Sequence, residues 1–290
     1  MRALIACTVA LLLATVACRS DQRTYTLHGQ VYEVAADRKQ AVINHEEIKG
    51  FMAAMTMPYK VKDTQVLADI TAGDMVDATL VVASNEAYLT VVKKVGHAPV
   101  PKAEPETAVQ PAPTSSGFEL LKPGEAVPEA HFVDENGKKR VFSAFKGSTV
   151  VLTFIYTRCP LPTFCPLMDR HFQSLQKTFA ADPALKNVQL VSISFDPITD
   201  TPAVLKKHAK ELAADPARWS FFTGDRDDID QFAARFGVSI SRALNDALDI
   251  THNLRTAIID SDGKLVKAYT GNEWTPEQLL ADLKPVVRTN

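Results

Sequence analysis

The stretch Val150-Val151-Leu152-Thr153-Phe154-Ile155-Tyr156-Thr157-Arg158-Cys159-Pro160-Leu161-Pro162-Thr163-Phe164-Cys165-Pro166 decides how the larger part of this chain folds. Its first six residues form an apolar, β-branched run that reads as a buried strand. Leu167–Phe179 beyond it reads as a helix. Two cysteines therefore sit on one strand-to-helix turn. Backbone N–H groups at a helix start favour negative charge, which stabilises a thiolate and lowers its pKa. Two such sulfurs close in space can form a disulfide or grip a soft metal. A purely structural disulfide is the alternative, although such bridges more often join separate elements than sit on one exposed turn.

Working outward, the 290 residues are enough for more than one domain, and the net charge of −2 implies no strong electrostatic partner. There is no basic stripe of the kind nucleic-acid binding needs. Of four cysteines, two lie at the start. Met1-Arg2 followed by the apolar Ala3–Ala17 reads as a signal peptide, too short for a membrane span. Ala14-Thr15-Val16-Ala17-Cys18 resembles a bacterial lipobox, which implies lipidation of Cys18 and a lipid anchor on the periplasmic side of a bacterial membrane. Ordinary cleavage, giving a soluble periplasmic protein, is the alternative. Either way residues 1–18 are a leader, Cys7 is discarded, and Cys159 and Cys165 face an oxidising compartment. A pair that binds metal there needs a thiol reductant.

Arg19–Tyr25 reads as a tether. Residues 25–98 form a small all-β unit with strands expected at Thr26–Val34, Gln40–Asn44, Thr56–Val61, Met75–Ala83 and Ala87–Val95, short and regularly spaced as in an OB-type barrel. Residues 99–116 are a Pro-rich, extended linker carrying Pro99, Pro101, Pro105, Pro111 and Pro113. From 117 to 290, β and α signals alternate. A hairpin turns at Asp134–Gly137. The cysteine strand and helix follow, then a strand at Val188–Phe195 and a helix from Thr201-Pro202 to about Ala214. A strand at Trp219–Thr223, a helix at Asp227–Phe236, a hairpin around Asp260–Gly263 and a closing helix at Thr275–Val287 complete it. A βαβ half followed by ββα is the layout of an α/β thioredoxin-like domain.

Three pieces of this second unit carry a family resemblance: Cys159…Cys165-Pro166 after its strand, Asp196-Pro197-Ile198-Thr199-Asp200-Thr201-Pro202 after the next, and Thr251-His252-Asn253 before a late strand. The unit resembles the Sco/SenC proteins, thioredoxin-fold copper carriers that help metallate the CuA centre of cytochrome c oxidase. The resemblance implies copper ligation by Cys159, Cys165 and His252. Here five residues lie between the cysteines, where the family usually has three. Loop closure costs little more for the longer spacing. The chemistry is coherent without the family, since thiolates suit Cu(I) and imidazole also suits Cu(II). Zinc accepts such ligands too. Asp196 and Asp200 either tune the site or shape their loop; loop shaping is the favoured reading, with Asp200 or Thr201 able to cap the helix that follows. His28, His97, His131, His171 and His208 are read as surface or hydrogen-bonding residues.

A second cluster lies in Gly50-Phe51-Met52-Ala53-Ala54-Met55-Thr56-Met57-Pro58-Tyr59. Met55 and Met57, two apart on a strand, share a face, and His45 ends the neighbouring strand. Thioethers bind Cu(I) without deprotonation and form no disulfides. Core filling is the alternative reading. Val42–Ile48 followed by Ala54–Met57 resembles the CusF-type periplasmic copper-binding barrel, which implies His45, Met55 and Met57 as ligands. In that family a tryptophan caps the ion; Met52 stands in its place here.

Taken together, the sequence points to an exported copper-binding chaperone that captures Cu(I), with Cu(II) as a second possible state, and passes it to the copper-binding subunit of cytochrome c oxidase or to another copper acceptor. Two other readings stay open. The pair Cys159 and Cys165 could cycle as a redox-active disulfide in a thiol-disulfide oxidoreductase acting on a copper-receiving partner, or the protein could sequester copper for tolerance. No catalytic residue beyond that pair is indicated.

Overall fold

All seven side chains of β8 (Thr149–Ile155) are buried, the pattern of a strand covered on both faces. It runs parallel to β9 (Val188–Ser194) and antiparallel to β13 (Arg255–Ile259). Around them the computed structural model, which describes residues 22–52, 54–100, 119–243 and 246–287, builds a seven-stranded sheet. β10 (Trp219–Thr223) lies parallel to β9, and the hairpin of β6 (His131–Asp134) and β7 (Lys139–Val141) lies beyond it. β14 (Leu265–Thr270) covers the other side of β13, giving the order β14-β13-β8-β9-β10-β6-β7. Parallel neighbours need crossovers. These are α1 (Cys165–Ala181) between β8 and β9, and α2 (Pro202–Glu211) between β9 and β10. α3 (Arg226–Arg235) and α4 (Pro276–Leu283) follow, the latter opened by a capping box of Thr275 and Gln278. This is the expected thioredoxin layout.

Three local differences from the sequence reading have physical causes. α1 begins at Cys165 itself, with Phe164 at the N-cap position, so the second cysteine belongs to the helix and the first does not. α2 stops at Glu211, short of Ala214, because Ala213 takes a left-handed φ of 50°. Gln173 and Gln176 of α1 donate to the freed carbonyls of Leu212 and Ala213. A two-stranded sheet of β11 (Ile240–Ala243) and β12 (Asp246–His252) was not expected. Its Ala243, Asp246, Ala247 and Asp249 are poor strand formers, and pairing holds them extended.

The N-terminal unit is a five-stranded antiparallel sheet of β1 (Arg23–Val34), β2 (Gln40–His45), β3 (Met55–Lys60), β4 (Asp74–Val82) and β5 (Ala87–His97), in the order β3-β2-β1-β4-β5. Among the described residues its two edges meet in one parallel bridge, Val61 to Leu89. The sheet therefore curls round its core, with Leu27, Val31, Ile43 and Leu80 wholly buried, but is not hydrogen-bonded into a closed barrel. Gly29 faces His45 in the β1–β2 ladder. A Cβ there would lie 2.5 Å from the Asn44 carbonyl oxygen and 2.8 Å from the His45 Cα, so only glycine lets the strands approach this closely. The leader, Cys18, most of the linker, and the ends of the expected 19–25 and 117–290 segments lie outside the described residues.

Asp74, fully buried at the head of β4, accepts from Lys94 Nζ at 2.6 Å, His97 Nδ1 at 2.7 Å, and the Thr71 backbone N–H and hydroxyl at 3.0 and 3.2 Å. The Lys94 bond, then those of His97 and Thr71, hold the carboxyl well below its usual range against the burial that would raise it. A depressed carboxylate pKa stabilises the fold above the unfolded-state value of about 3.9 and is lost as pH falls below it. Asp74→Ala is thus expected to cost about 2–3 kcal/mol at pH 7. The deficit should shrink in urea unfolding, followed by circular dichroism, as the pH is lowered past about 4.

Candidate metal centre

The cysteine turn is built on two buried carboxylates that follow β9. Asp200 is wholly buried and accepts from the Thr157 backbone N–H at 3.0 Å, the Thr157 hydroxyl at 2.5 Å and the Ser194 hydroxyl at 2.5 Å. Asp196 takes Arg158 Nε at 2.7 Å, while its own N–H donates to Ser194 Oγ. The Asp-Pro-Ile-Thr-Asp stretch thus shapes its loop as expected, but the expected cap is corrected. Thr201 stands at the N-cap of α2 without a side-chain bond, and Asp200 is turned toward the cysteines because Thr157 and Ser194 offer three donors there. Nothing in the sequence near Thr157 signals this partner 43 residues away.

Cys165, 1% exposed, opens α1, while Cys159 is half-buried in the turn before it; both are free thiols. His252 ends β12, edge-on to Tyr156 and packed on Phe195 with ring centroids 5.3 and 4.5 Å away. Its Nδ1 donates to the Asn253 carbonyl at 2.9 Å, which leaves Nε2 as the lone-pair nitrogen, 3.9 Å from Cys165 Sγ. Hydrogen bonding from Cys165 pulls the Cys159 thiol well below its ordinary value. Burial pushes Cys165 well above it. One thiolate and one thiol therefore share a site with one imidazole.

The Cys165–His252 separation fits one ion. Ligand bonds of about 2.3 Å to sulfur and about 2.0 Å to nitrogen span up to roughly 4.3 Å, so 3.9 Å between Sγ and Nε2 is bridged at a wide angle. Among the described residues no three His, Cys, Asp or Glu side chains stand close enough to enclose a metal as they are. Small side-chain rotations have to complete the shell.

In the N-terminal unit His45 lies directly across from Met55 in the β2–β3 ladder, with Met57 two residues on and buried. Cross-strand neighbours bring their Cβ atoms within about 5 Å. His45 is 2% exposed, and burial lowers its pKa, so the ring is neutral. Nδ1 donates to the Glu46 carbonyl at 2.6 Å, and Nε2 is buried with no hydrogen-bond partner. An orphaned imidazole nitrogen on the strand paired with the one carrying Met55 and Met57 fits a soft ion and costs stability without one. Met52, in the place of the absent tryptophan, has its sulfur 3.7 Å from the Tyr59 hydroxyl. Tyr59 lies on the face of Met55 and Met57, and the sequence reading had passed it over. The other histidines keep mostly to ordinary roles: His28, His97 and His208 each bind a carboxylate, of Asp77, Asp74 and Asp169.

Comparison with known proteins decides the family. The SCO1/SenC family model matches residues 122–288. The chain belongs to the SCO1/SenC family. Ahead of that region, residues 24–94 match the model described as copper-binding periplasmic protein CusF, so this Sco protein carries an N-terminal CusF-like domain. The chain is similar to the SCO1 protein homolog of Bacillus subtilis, 32% identical over 53% of this chain and 78% of that one. It is also similar to a SCO1/SenC family lipoprotein from Bacillus anthracis in a crystal structure, at 29% identity and TM-score 0.51, covering 59% of this chain and all of that one. Yeast Sco1 with copper bound, at 20% identity and TM-score 0.50 over 59% of this chain and 91% of its own, shares the fold.

The unequal thiols give a direct check. In the reduced, metal-free protein at pH 7, iodoacetamide should alkylate Cys159 at least about tenfold faster than Cys165. The Cys159 rate should fall off with acid only below the ordinary thiol midpoint of about 8.5. Equal rates, read by mass spectrometry, would contradict the asymmetry.

Proposed function

We propose that this Sco protein is an exported copper chaperone in which the CusF-like unit captures Cu(I) and the thioredoxin-like unit hands it on. The observation that carries this reading is the convergence of Cys159, Cys165 and His252, far apart in sequence, on one spot with an Sγ–Nε2 separation an ion can bridge. His45, Met55 and Met57 supply the second donor set, with Met52 at its side. Copper is the cargo: Cu(I) in both sets, with the imidazole accommodating Cu(II) in the cysteine set. The acceptor is the CuA-bearing subunit of cytochrome c oxidase, as the Sco resemblance implies. Residues 1–18 act as a leader segment cleaved before Cys18, which becomes the lipid-anchored N-terminus on the periplasmic side, and 99–116 act as the tether between units 25–98 and 117–290. Among the described residues no helix is long and apolar enough to cross a membrane.

The second reading, a thiol-disulfide reductant for the copper-receiving partner, is favoured by one specific feature: a half-buried low-pKa thiol backed by a buried one. A thiolate at Cys159 can attack a partner disulfide, and Cys165 can then release the partner by closing the intramolecular bond. His252 has no evident part in that chemistry, which is why copper handling is the leading reading.

Titration of the reduced protein with Cu(I) against a competing chelator is expected to resolve two sites. His252→Ala should weaken one by at least about tenfold, since even the outer partners of metal ligands cost that much. The double variant Met55→Ala, Met57→Ala should weaken only the other. Wild-type copper binding by Cys159→Ser, Cys165→Ser and His252→Ala would sink the proposal.

A further inference from the structure

The longer spacing between the cysteines has a place in the packing that the ligand set does not explain. Leu161, 6% exposed, belongs to the apolar core of the CusF-like unit, although it lies in the thioredoxin-like sequence. Cys159 and Phe164 touch both cores. From behind, the loop is braced by its own unit: Arg170 donates to the Pro162 carbonyl and Asn272 to that of Thr163, each at 2.7 Å. Pro160 and Pro162 restrict its backbone further. Beside it, Lys60 at the end of β3 pairs with Glu273 at 2.9 Å. That pair is exposed and contributes little, so the apolar contact carries the junction. The core that receives Leu161 also contains Met57, with Met52 and Met55 packed on it.

We propose that Pro160–Phe164 is a docking plug. It seats the cysteine turn on the methionine-bearing core of the CusF-like unit, so that Cu(I) moves between the two donor sets within one closed chain. The docking stands on packing alone; the transfer route rests on the copper reading above. In the move copper keeps its oxidation state, exchanging thioether and imidazole donors for thiolate and imidazole. Each thiol that becomes a ligand releases its proton to solvent. Seating also turns an encounter between tethered units into a contact already made, which removes the dependence on linker length.

Small-angle X-ray scattering of the reduced, metal-free full chain tests the docking without reference to copper. Wild type and Leu161→Met, a volume-conserving exchange, should scatter as compact particles. Leu161→Asp should show a larger radius of gyration with an unchanged circular dichroism spectrum. An extended wild-type particle, or a compact, natively folded Leu161→Asp, overturns the plug. If Leu161→Asp does not fold, the wild-type profile alone decides. For the route, Cu(I) is loaded while the cysteines are oxidised, a phosphine reductant is added, and thiolate-to-copper absorbance is followed. The wild-type rate should be independent of protein concentration and at least about tenfold above that of Leu161→Asp. Equal rates overturn the route. Absence of Cu(I) from both donor sets overturns the copper reading and the route with it, while the scattering result on docking stands by itself.

Discussion

The Asp200 carboxylate accepts hydrogen bonds from the residues just beyond β8 and at the end of β9, and the site is assembled around that tie. A wholly buried carboxylate is costly to hold unless its oxygens are satisfied. Here Thr157 satisfies them twice and Ser194 once, so the end of the cysteine strand cannot drift from its parallel neighbour without exposing a charge to an apolar interior. Everything downstream inherits that position: the turn carrying Cys159, the first turn of α1 with Cys165, and Phe195, against which the His252 ring is packed. The site lies beyond the carboxyl ends of parallel strands, where open α/β sheets gather ligands.

The two donor sets solve the same problem in opposite ways. Thiolates hold a soft ion strongly but must first lose protons, and they can be lost to a disulfide. Thioethers hold it more weakly and stay available whatever the redox state. Beside each stands one imidazole fixed by the same device, an Nδ1–H bond to a nearby backbone carbonyl that leaves Nε2 as the lone-pair nitrogen. The two candidate sets thus share one nitrogen arrangement and differ in their sulfur donors.

Much of this was legible in the residues. The buried strand before Cys159, the crossovers and the five N-terminal strands follow from local pattern, because each is a long run with one hydrophobic period. His252 was found only through its motif. The β11–β12 hairpin that delivers it carries Ala243, Asp246, Ala247 and Asp249, which disfavour strands, so its extended form leans on pairing that a local reading does not see. Asp200 reads locally as one candidate cap for a related reason: Asp before Thr-Pro is a good helix-start signal, and the competing donors lie on another strand. Leu161 carries no local signal of its burial, which is supplied by a different folding unit.

Gly29 offers no donor atom, carries no charge and lies outside every motif, yet it sits across from His45 with no room for a methyl group. An alanine there would push β2 away from β1 and displace His45 against Met55 on β3, while leaving the candidate sulfur and nitrogen donors chemically intact. Loss of metal affinity in this protein can therefore arise from a lesion that an inventory of coordinating side chains would score as silent.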